Sequence, residues 1–239
     1  MTFVSQEDNV ERGRRAFFER LVALGPREVL DVGCGRGDTL LRLRGAGIAA
    51  RGVDFERAAH PVADDLDLGV ASADDLPFEE GEFDWVCMRY VPHHLADPAA
   101  AFREALRVAR RGFFVAEPWF DDTLACQRNA RRLDAWTKRL DRMGGMVHEE
   151  VLDEEALRAA LGESTSLAVT SELDFELRPR DPGPVFEQVE ARLEKLPGAD
   201  SERPAWSELR AAIEADGLSW NGSLFLTARR SVAGEQPVE

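Results

Sequence analysis

Val29-Leu30-Asp31-Val32-Gly33-Cys34-Gly35-Arg36-Gly37 decides how this chain is read: an apolar strand, Val29 to Val32, runs into a turn built on three glycines. Glycine at alternate positions removes the Cβ atoms that keep a backbone away from a ligand, and it permits positive φ in the turn. The segment that follows, Asp38 to Arg44, is expected to be a helix whose N-terminal amides point at that ligand. A tight strand-to-helix turn can need glycine for steric reasons alone, so the pattern gains meaning from what lies 17 residues beyond Gly37. There a second apolar run, Ile48 to Val53, ends in Asp54, where a doubly wound sheet places the acid that accepts hydrogen bonds from ribose hydroxyls.

Outward from this loop the chain alternates strand and helix. Asn9 to Leu24 carries apolar residues at helical spacing and stops at Gly25-Pro26, which predicts an N-terminal helix. After the strand at 48–53 comes an irregular stretch through His60-Pro61, a short strand at 67–71, and a strand at 83–90 apolar enough to be central. A helix over 98–109 and a strand at 112–116 close the unit. This alternation predicts an α/β fold: a Rossmann-like, doubly wound, mostly parallel seven-stranded sheet with an antiparallel edge strand and a helical cap insertion. From Glu117 to Gly162 the pattern turns helical, with Leu133, Trp136, Leu140 and Met143 on one stripe. A helix is expected at 153–161, a strand at 166–177, helices at 185–196 and 203–215, and a last strand at 220–228 pairing with 166–177 at the sheet edge. The expected organisation is therefore an N-terminal helical cap over 1–26, one domain over 27–231 with helical insertions at 118–162 and 182–216, and a flexible tail over 232–239.

Composition excludes several function classes. The formal charge is −15 and the pI near 4.8, whereas nucleic-acid binding needs a clustered basic surface that releases counterions. The basic runs 103–111 and 128–142 have helical spacing among acids and read as solvated helix faces. Cys34, Cys87 and Cys126 are odd in number and widely separated, so neither a disulfide framework nor a metal site is indicated, and reduced thiols are expected. No apolar run approaches the ~18 residues of a membrane span, and no signal-like segment opens the chain. The expectation is a soluble, cytoplasmic monomer or homodimer that acts on a small molecule, with neither nucleic acid nor membrane as partner.

Five blocks follow one another: Asp31-Val32-Gly33-Cys34-Gly35-Arg36-Gly37, Gly52-Val53-Asp54, Asp75-Leu76-Pro77-Phe78, Phe83-Asp84-Trp85-Val86, and His93-His94-Leu95-Ala96-Asp97-Pro98. Together they resemble the class I S-adenosylmethionine-dependent methyltransferases, in particular the small-molecule subgroup that includes the ubiquinone and menaquinone biosynthesis enzymes. The resemblance covers residues 27 to 117 and beyond Pro118 is architectural. It implies S-adenosyl-L-methionine as cofactor, with Asp31 and the Gly33, Cys34, Gly35, Gly37 loop at its methionine end, Asp54 at the ribose, and Phe55 also among the cofactor residues. It also implies Ser72, Ala73 and Asp74 at the adenine. Here the chain departs from the family, which often has an acid where Ser72 stands; a hydroxyl accepts the adenine amino hydrogen bond without charge assistance. No lysine of the phosphate-loop kind follows the glycines, as suits a cofactor with a sulfonium, an amine and a carboxylate but no pyrophosphate.

Methyl transfer from a sulfonium is an in-line displacement that depends on positioning and desolvation, with a base where the acceptor must lose a proton. The candidates follow the fourth strand, at the carboxyl edge where such sheets bind ligands. His93 and His94 are the candidate bases, alternatively a helix cap. Arg89 is placed with the cofactor residues, or on a substrate carboxylate, or in a salt bridge with Asp97 or Glu117. Tyr90, Glu117, Trp119 and Trp136 are expected at the acceptor, with packing as the alternative for Tyr90 and Trp136. His148 is a further candidate, and Phe17 and Phe18 either close the pocket or pack. A nicotinamide-dependent oxidoreductase, a non-catalytic cofactor-binding partner subunit, and use of the sulfonium for non-methyl chemistry stay open. Against the first, the loop is GxGxG without GxGxxG spacing and the chain has no Tyr-x-x-x-Lys pair.

Overall fold

The computed structural model describes residues 2–57, 61–163 and 166–231; His60 and the expected tail over 232–239 lie outside the described residues. In chain order the regular elements are α1 (Gln6–Ala23), β1 (Glu28–Val32), α2 (Asp38–Gly45), β2 (Ala49–Asp54), β3 (Leu68–Val70), β4 (Phe83–Arg89), α3 (Pro98–Val108) and β5 (Ala109–Trp119), then α4 (Ala125–Met143), α5 (Glu154–Leu161), β6 (Leu167–Asp174), α6 (Pro182–Lys195), α7 (Arg203–Asp216) and β7 (Gly222–Arg230). Single 3-10 turns stand at Pro92–His94 and Ala199–Glu202. The sheet has seven strands in the order β3-β2-β1-β4-β5-β7-β6, and β1 to β5 pair in parallel. β7 runs against both of its neighbours: Arg230 Nε donates to the Ala109 carbonyl and Ser231 N–H to that of Ser166, while Gly222 lies against Asp174. The antiparallel pairing is thus at the expected edge, with β7 between β5 and β6. β5 starts three residues before the strand expected at 112–116, because α3 runs straight into it without a loop.

The chain divides into two compact units. The first holds the residues up to Gly13, Pro118–Glu150 and Asp174–Ser223; the second holds Arg14–Glu117, Val151–Leu173 and the chain from Leu224 on. The second is the sheet unit. Its core joins Phe17 and Leu21 of α1 to Val29, Trp85, Cys87, Phe114 and Phe225 of the strands. Phe17 and Phe114 lie 4.9 Å apart, and Phe114 stacks on Phe225 at 5.9 Å. Phe17 is therefore a core residue and Phe18 packs beside that core, which settles their two readings in favour of packing. α5 belongs to this unit, so the insertion expected over 118–162 is divided at Val151.

The first unit is mainly helical. Trp136 of α4 stacks on Trp206 of α7 at 5.2 Å, and Asn129 donates to the Ala212 and Gly217 carbonyls at the end of α7. The buried Gln127 donates to Ser219 and to the Trp220 carbonyl, tying α4 to the segment before β7. Lys138 is almost fully buried and is neutralised one helical turn away by Asp134, at 2.9 Å.

Within the sheet unit Gly33 carries the tightest steric demand of the loop. A Cβ there would lie 2.3 Å from Val91 Cγ2, and its φ of +74° is strained for any L side chain. Gly33→Ala should destabilise the protein by about 2–4 kcal/mol, combining overpacking with backbone strain. Adding Val91→Ala should restore the steric share only. Denaturant unfolding of the double-mutant cycle checks this, and strict additivity would show that the two residues do not meet.

Candidate cofactor and methyl-transfer site

Parallel pairing brings the ends of β1, β2 and β4 to one edge. Asp31 is level with Gly52 and with Cys87, Asp54 with Val70, and Arg89 with Ala116. The glycine turn that caps this edge is held by its own backbone: Gly33 and Cys34 N–H donate to the Val53 carbonyl at 2.8 and 3.1 Å, and Gly37 N–H to Cys34 at 2.9 Å. Gly33, Gly35 and Gly37 all have positive φ, as their type requires, and Gly37 stands at the start of α2 without a side-chain cap. Nothing lies within 4 Å of a Cβ built on Gly35, so the loop's crest is open to a ligand.

Two carboxylates face this turn in different states. Asp54 is fixed on both oxygens, accepting from Gly35 N–H at 2.8 Å and from Phe55 N–H at 2.9 Å. Each oxygen keeps a second lone pair, which suits a vicinal diol. The Phe55 ring beside it is 78% exposed, an apolar face offered to solvent next to an acid. Asp31 is 2% exposed at the end of β1. Burial pushes its carboxyl up to about 6, against the lowering influence of the Arg89 charge and of hydrogen bonds from Cys87 and Thr39. Cys87 Sγ lies 3.5 Å from Asp31 Oδ1 and donates to it, and burial beside this acid holds the thiol well above its ordinary range. Cys34 is likewise pushed up to about 12 by burial and then by Asp31 and Asp54, so it contributes backbone and bulk, not a thiolate.

The adenine-side residues form a small turn of their own. Ser72 and Asp75 make an isolated antiparallel bridge, and the Ser72 hydroxyl donates to the Asp74 carboxylate. An acid thus stands in direct hydrogen-bond contact with Ser72, with Ala73 between them.

The turn after β4 gathers the remaining candidates. Tyr90 has φ +59°, the single non-glycine residue with positive φ among the described residues; its N–H donates to the Ala116 carbonyl at 2.8 Å. A bulky side chain in the left-handed region costs of order 1–3 kcal/mol and is held there by its surroundings, here the core on one side and the Arg89 guanidinium over its ring at 5.3 Å. The next residue, Val91, is the one that presses on Gly33, so the strained turn and the glycine loop fix each other. His93 is buried and its Nδ1 faces both oxygens of the fully buried Glu117, at 3.0 and 2.9 Å. In the neutral ring the Nδ1 proton sits on this bond, which leaves Nε2 as the basic atom. Leu152 N–H also donates to Glu117. His94 is exposed, with its ring 4.4 Å from that of His93.

Several expectations change. Glu117, expected at the acceptor, is buried and pairs with His93 Nδ1. The Arg89 salt bridge with Asp97 or Glu117 is not formed: Asp97 caps α3 through Ala100 N–H, Glu117 is engaged by His93, and Arg89 serves Asp31 and Tyr90. Trp119, Trp136 and His148 belong to the helical unit. There Trp119 meets Phe175 edge to face at 5.2 Å, Trp136 is 7% exposed against Trp206, and His148 Nδ1 lies 2.6 Å from Asp141 Oδ2. The Glu117 to His93 pair could have been suspected only from an acid directly following an apolar strand, a weak signal.

Residues 30–116 match the family model described as "Methyltransferase domain". The ajmaline N-methyltransferase of Rauvolfia serpentina is 34% identical over 98 residues, which cover 36% of this chain and 34% of that one. The ubiquinone biosynthesis O-methyltransferase of Thiobacillus denitrificans is 32% identical over 117 residues, 45% of this chain and 48% of that one. The chain thus spans less than half the length of the first curated relatives it matches. Among solved structures, YcgJ of Bacillus subtilis superposes with a TM-score of 0.57 at 19% identity, over 91% of this chain and 99% of that one. A cyclopropane-fatty-acyl-phospholipid synthase-like protein of Lactobacillus casei reaches 0.66 at 16% identity, over 96% and 95%. These establish the Rossmann-like fold. The likeness to methyltransferases thus rests on residues 30–116, just over a third of the chain. Among the described residues no helix is long and apolar enough to cross a membrane.

The raised Asp31 carboxyl makes a signed prediction. Between the unfolded value near 4 and the folded value of about 6, the native state holds a proton that the unfolded chain has released. Stability therefore falls as pH rises through that window, and the full penalty is present above about pH 6. Asp31→Asn should accordingly be more stable than the parent at pH 7.5, by about 1–3 kcal/mol, with the advantage vanishing towards pH 4. Urea unfolding at both pH values checks it; a variant less stable at pH 7.5 would contradict the burial account.

Proposed function

We propose that this protein is an enzyme that transfers the methyl group of S-adenosylmethionine to a small-molecule acceptor. The observation that carries the reading is the pair of acids around one glycine loop, Asp54 held by the Gly35 N–H and Asp31 buried with a carboxyl at about 6. Asp54 fits the two ribose hydroxyls. Asp31 is a carboxylate whose charge is costly until a cation reaches it, and the cofactor's amine is such a cation. Phe55 offers a face for the adenine, and the Ser72–Asp74 turn an acceptor for its amino group. When bound, the sulfonium supplies an electrophilic methyl carbon. The chain's own part is to hold that group at the sheet edge, to exclude water, and to take a proton at His93 Nε2 when the acceptor is a phenol, a hydroxyl or an acidic carbon. Glu117 acts as a positioning residue that fixes the His93 ring and tautomer. The relatives named ajmaline N-methyltransferase and ubiquinone biosynthesis O-methyltransferase support a small acceptor, and the chain's formal charge of −15 disfavours a polyanion.

Calorimetry with S-adenosylhomocysteine and with NAD separates this reading from a nicotinamide enzyme: micromolar binding of the first and none of the second is expected. NAD binding without S-adenosylhomocysteine binding would overturn it. Asp54→Ala should weaken S-adenosylhomocysteine at least tenfold, through the loss of two charge-assisted hydrogen bonds. With a turned-over acceptor found in a panel of phenols, amines and acids, His93→Gln should lower kcat about a hundredfold or more and remove the acidic limb of the pH profile. Glu117→Gln should shift that limb while leaving KM for the cofactor unchanged. An unaltered profile in both variants would remove His93 from the chemistry.

A further inference from the structure

The helical unit contains a pocket of about 340 Å³, within the size range of small-ligand sites (about 300–1,000 Å³). Its walls are mostly apolar and aromatic, with Phe120 and Leu133, Trp136 from α4, Val189 from α6, and Trp220. Two charged side chains besides Arg180 line it, and each has a partner. Asp134 is neutralised by Lys138 at 2.9 Å, and Arg192 is paired with Asp141.

Arg180 is the exception. A short antiparallel bridge, Pro179 opposite Ser219, with Arg180 N–H on the Leu218 carbonyl and Trp220 N–H on that of Arg178, sets Arg180 and Trp220 side by side. The guanidinium lies over the Trp220 ring at 4.1 Å, while that indole N–H is already committed to the Val4 carbonyl at 2.8 Å. The ring contact leaves the guanidinium N–H donors, and among the described residues no side chain or carbonyl accepts from them and no carboxylate lies within 4 Å. This is notable in a chain with 45 acidic and 30 basic residues, where acids are abundant. Burial, with no opposing acid, brings Arg180 down to about 10. A half-buried guanidinium with open donors, packed on an indole in the lining of an aromatic-walled pocket, matches a planar carboxylate in charge and in fork geometry.

We propose that this pocket binds a small aromatic or otherwise flat apolar carboxylate, with Arg180 gripping the carboxylate and the Trp136, Leu133 and Val189 walls taking the apolar body. The site lies wholly within the helical unit, and its occupation does not require the cofactor, so it stands or falls apart from the methyl-transfer reading.

The test uses the full chain without cofactor and two probes of one shape, naphthalene-2-carboxylate and naphthalene-2-carboxamide, followed by calorimetry and tryptophan fluorescence at pH 7.5. The carboxylate should bind about tenfold or more tighter than the amide. Arg180→Met should erase that preference, Arg180→Lys should keep part of it, and Val189→Phe should weaken both probes by filling the apolar half. Equal affinity for the two probes, an undiminished preference in Arg180→Met, or no binding of either by the parent would each overturn the proposal. Should Arg180→Met fail to fold, the comparison of acid with amide on the parent protein still decides.

Discussion

The structure is organised around a carboxylate that the fold holds away from water. Asp31 sits at the end of the central parallel strand, 2% exposed, with a thiol, a threonine hydroxyl and an arginine charge offsetting only part of its desolvation. Everything at this sheet edge follows from it. The glycine loop must curl past it without Cβ atoms, the turn after β4 must place Arg89 within electrostatic reach, and Val91 of that turn must press on Gly33. Tyr90 occupies a strained left-handed conformation as part of that arrangement. A fold that spends stability on a partly compensated acid and a strained aromatic at one place is set up to recover it from a cationic ligand there.

The site has two kinds of polar group, distinguished by environment. Asp54 is satisfied by backbone N–H groups, keeps spare lone pairs and suits neutral hydroxyls. Asp31 is buried and suits a positive charge. The His93–Glu117 pair adds a third arrangement, in which a fully buried carboxylate fixes an imidazole rather than meeting a ligand. The helical unit repeats the logic with the opposite sign: Lys138 is buried beside Asp134 and is neutralised, whereas Arg180 is desolvated with no acid.

Much of the sheet unit was legible in the sequence, because its signals are local. Apolar runs bounded by glycine and aspartate mark β1 and β2, the helical stripe of Ala101, Phe102 and Ala105 marks α3, and Asp54 marks the end of β2 beside the glycine loop. What depended on contacts between distant residues was not. The partner of Glu117 is 24 residues away in sequence, so nothing distinguished an orienting carboxylate from an acceptor contact. The three-residue early start of β5 followed from a helix running directly into a strand, which carries no turn residue to announce it. Trp136 has the same helical spacing whether it faces a ligand or Trp206, and Ser72 read as a lost acid because its bond to Asp74 belongs to the turn and not to the motif. The division at Val151 could not be foreseen either, since α5 has the same amphipathic pattern as the helices of the other unit.

On the proposed reading, Asp31 exchanges a proton for the cofactor's amine. Binding of S-adenosylhomocysteine at pH 6, measured by calorimetry in buffers of different ionisation enthalpy, reads this directly. A carboxyl at about 6 in the free protein, driven lower by the bound ammonium, should release about half a proton at pH 6 and almost none at pH 8. Binding with no proton release at pH 6, or with uptake, would contradict the account.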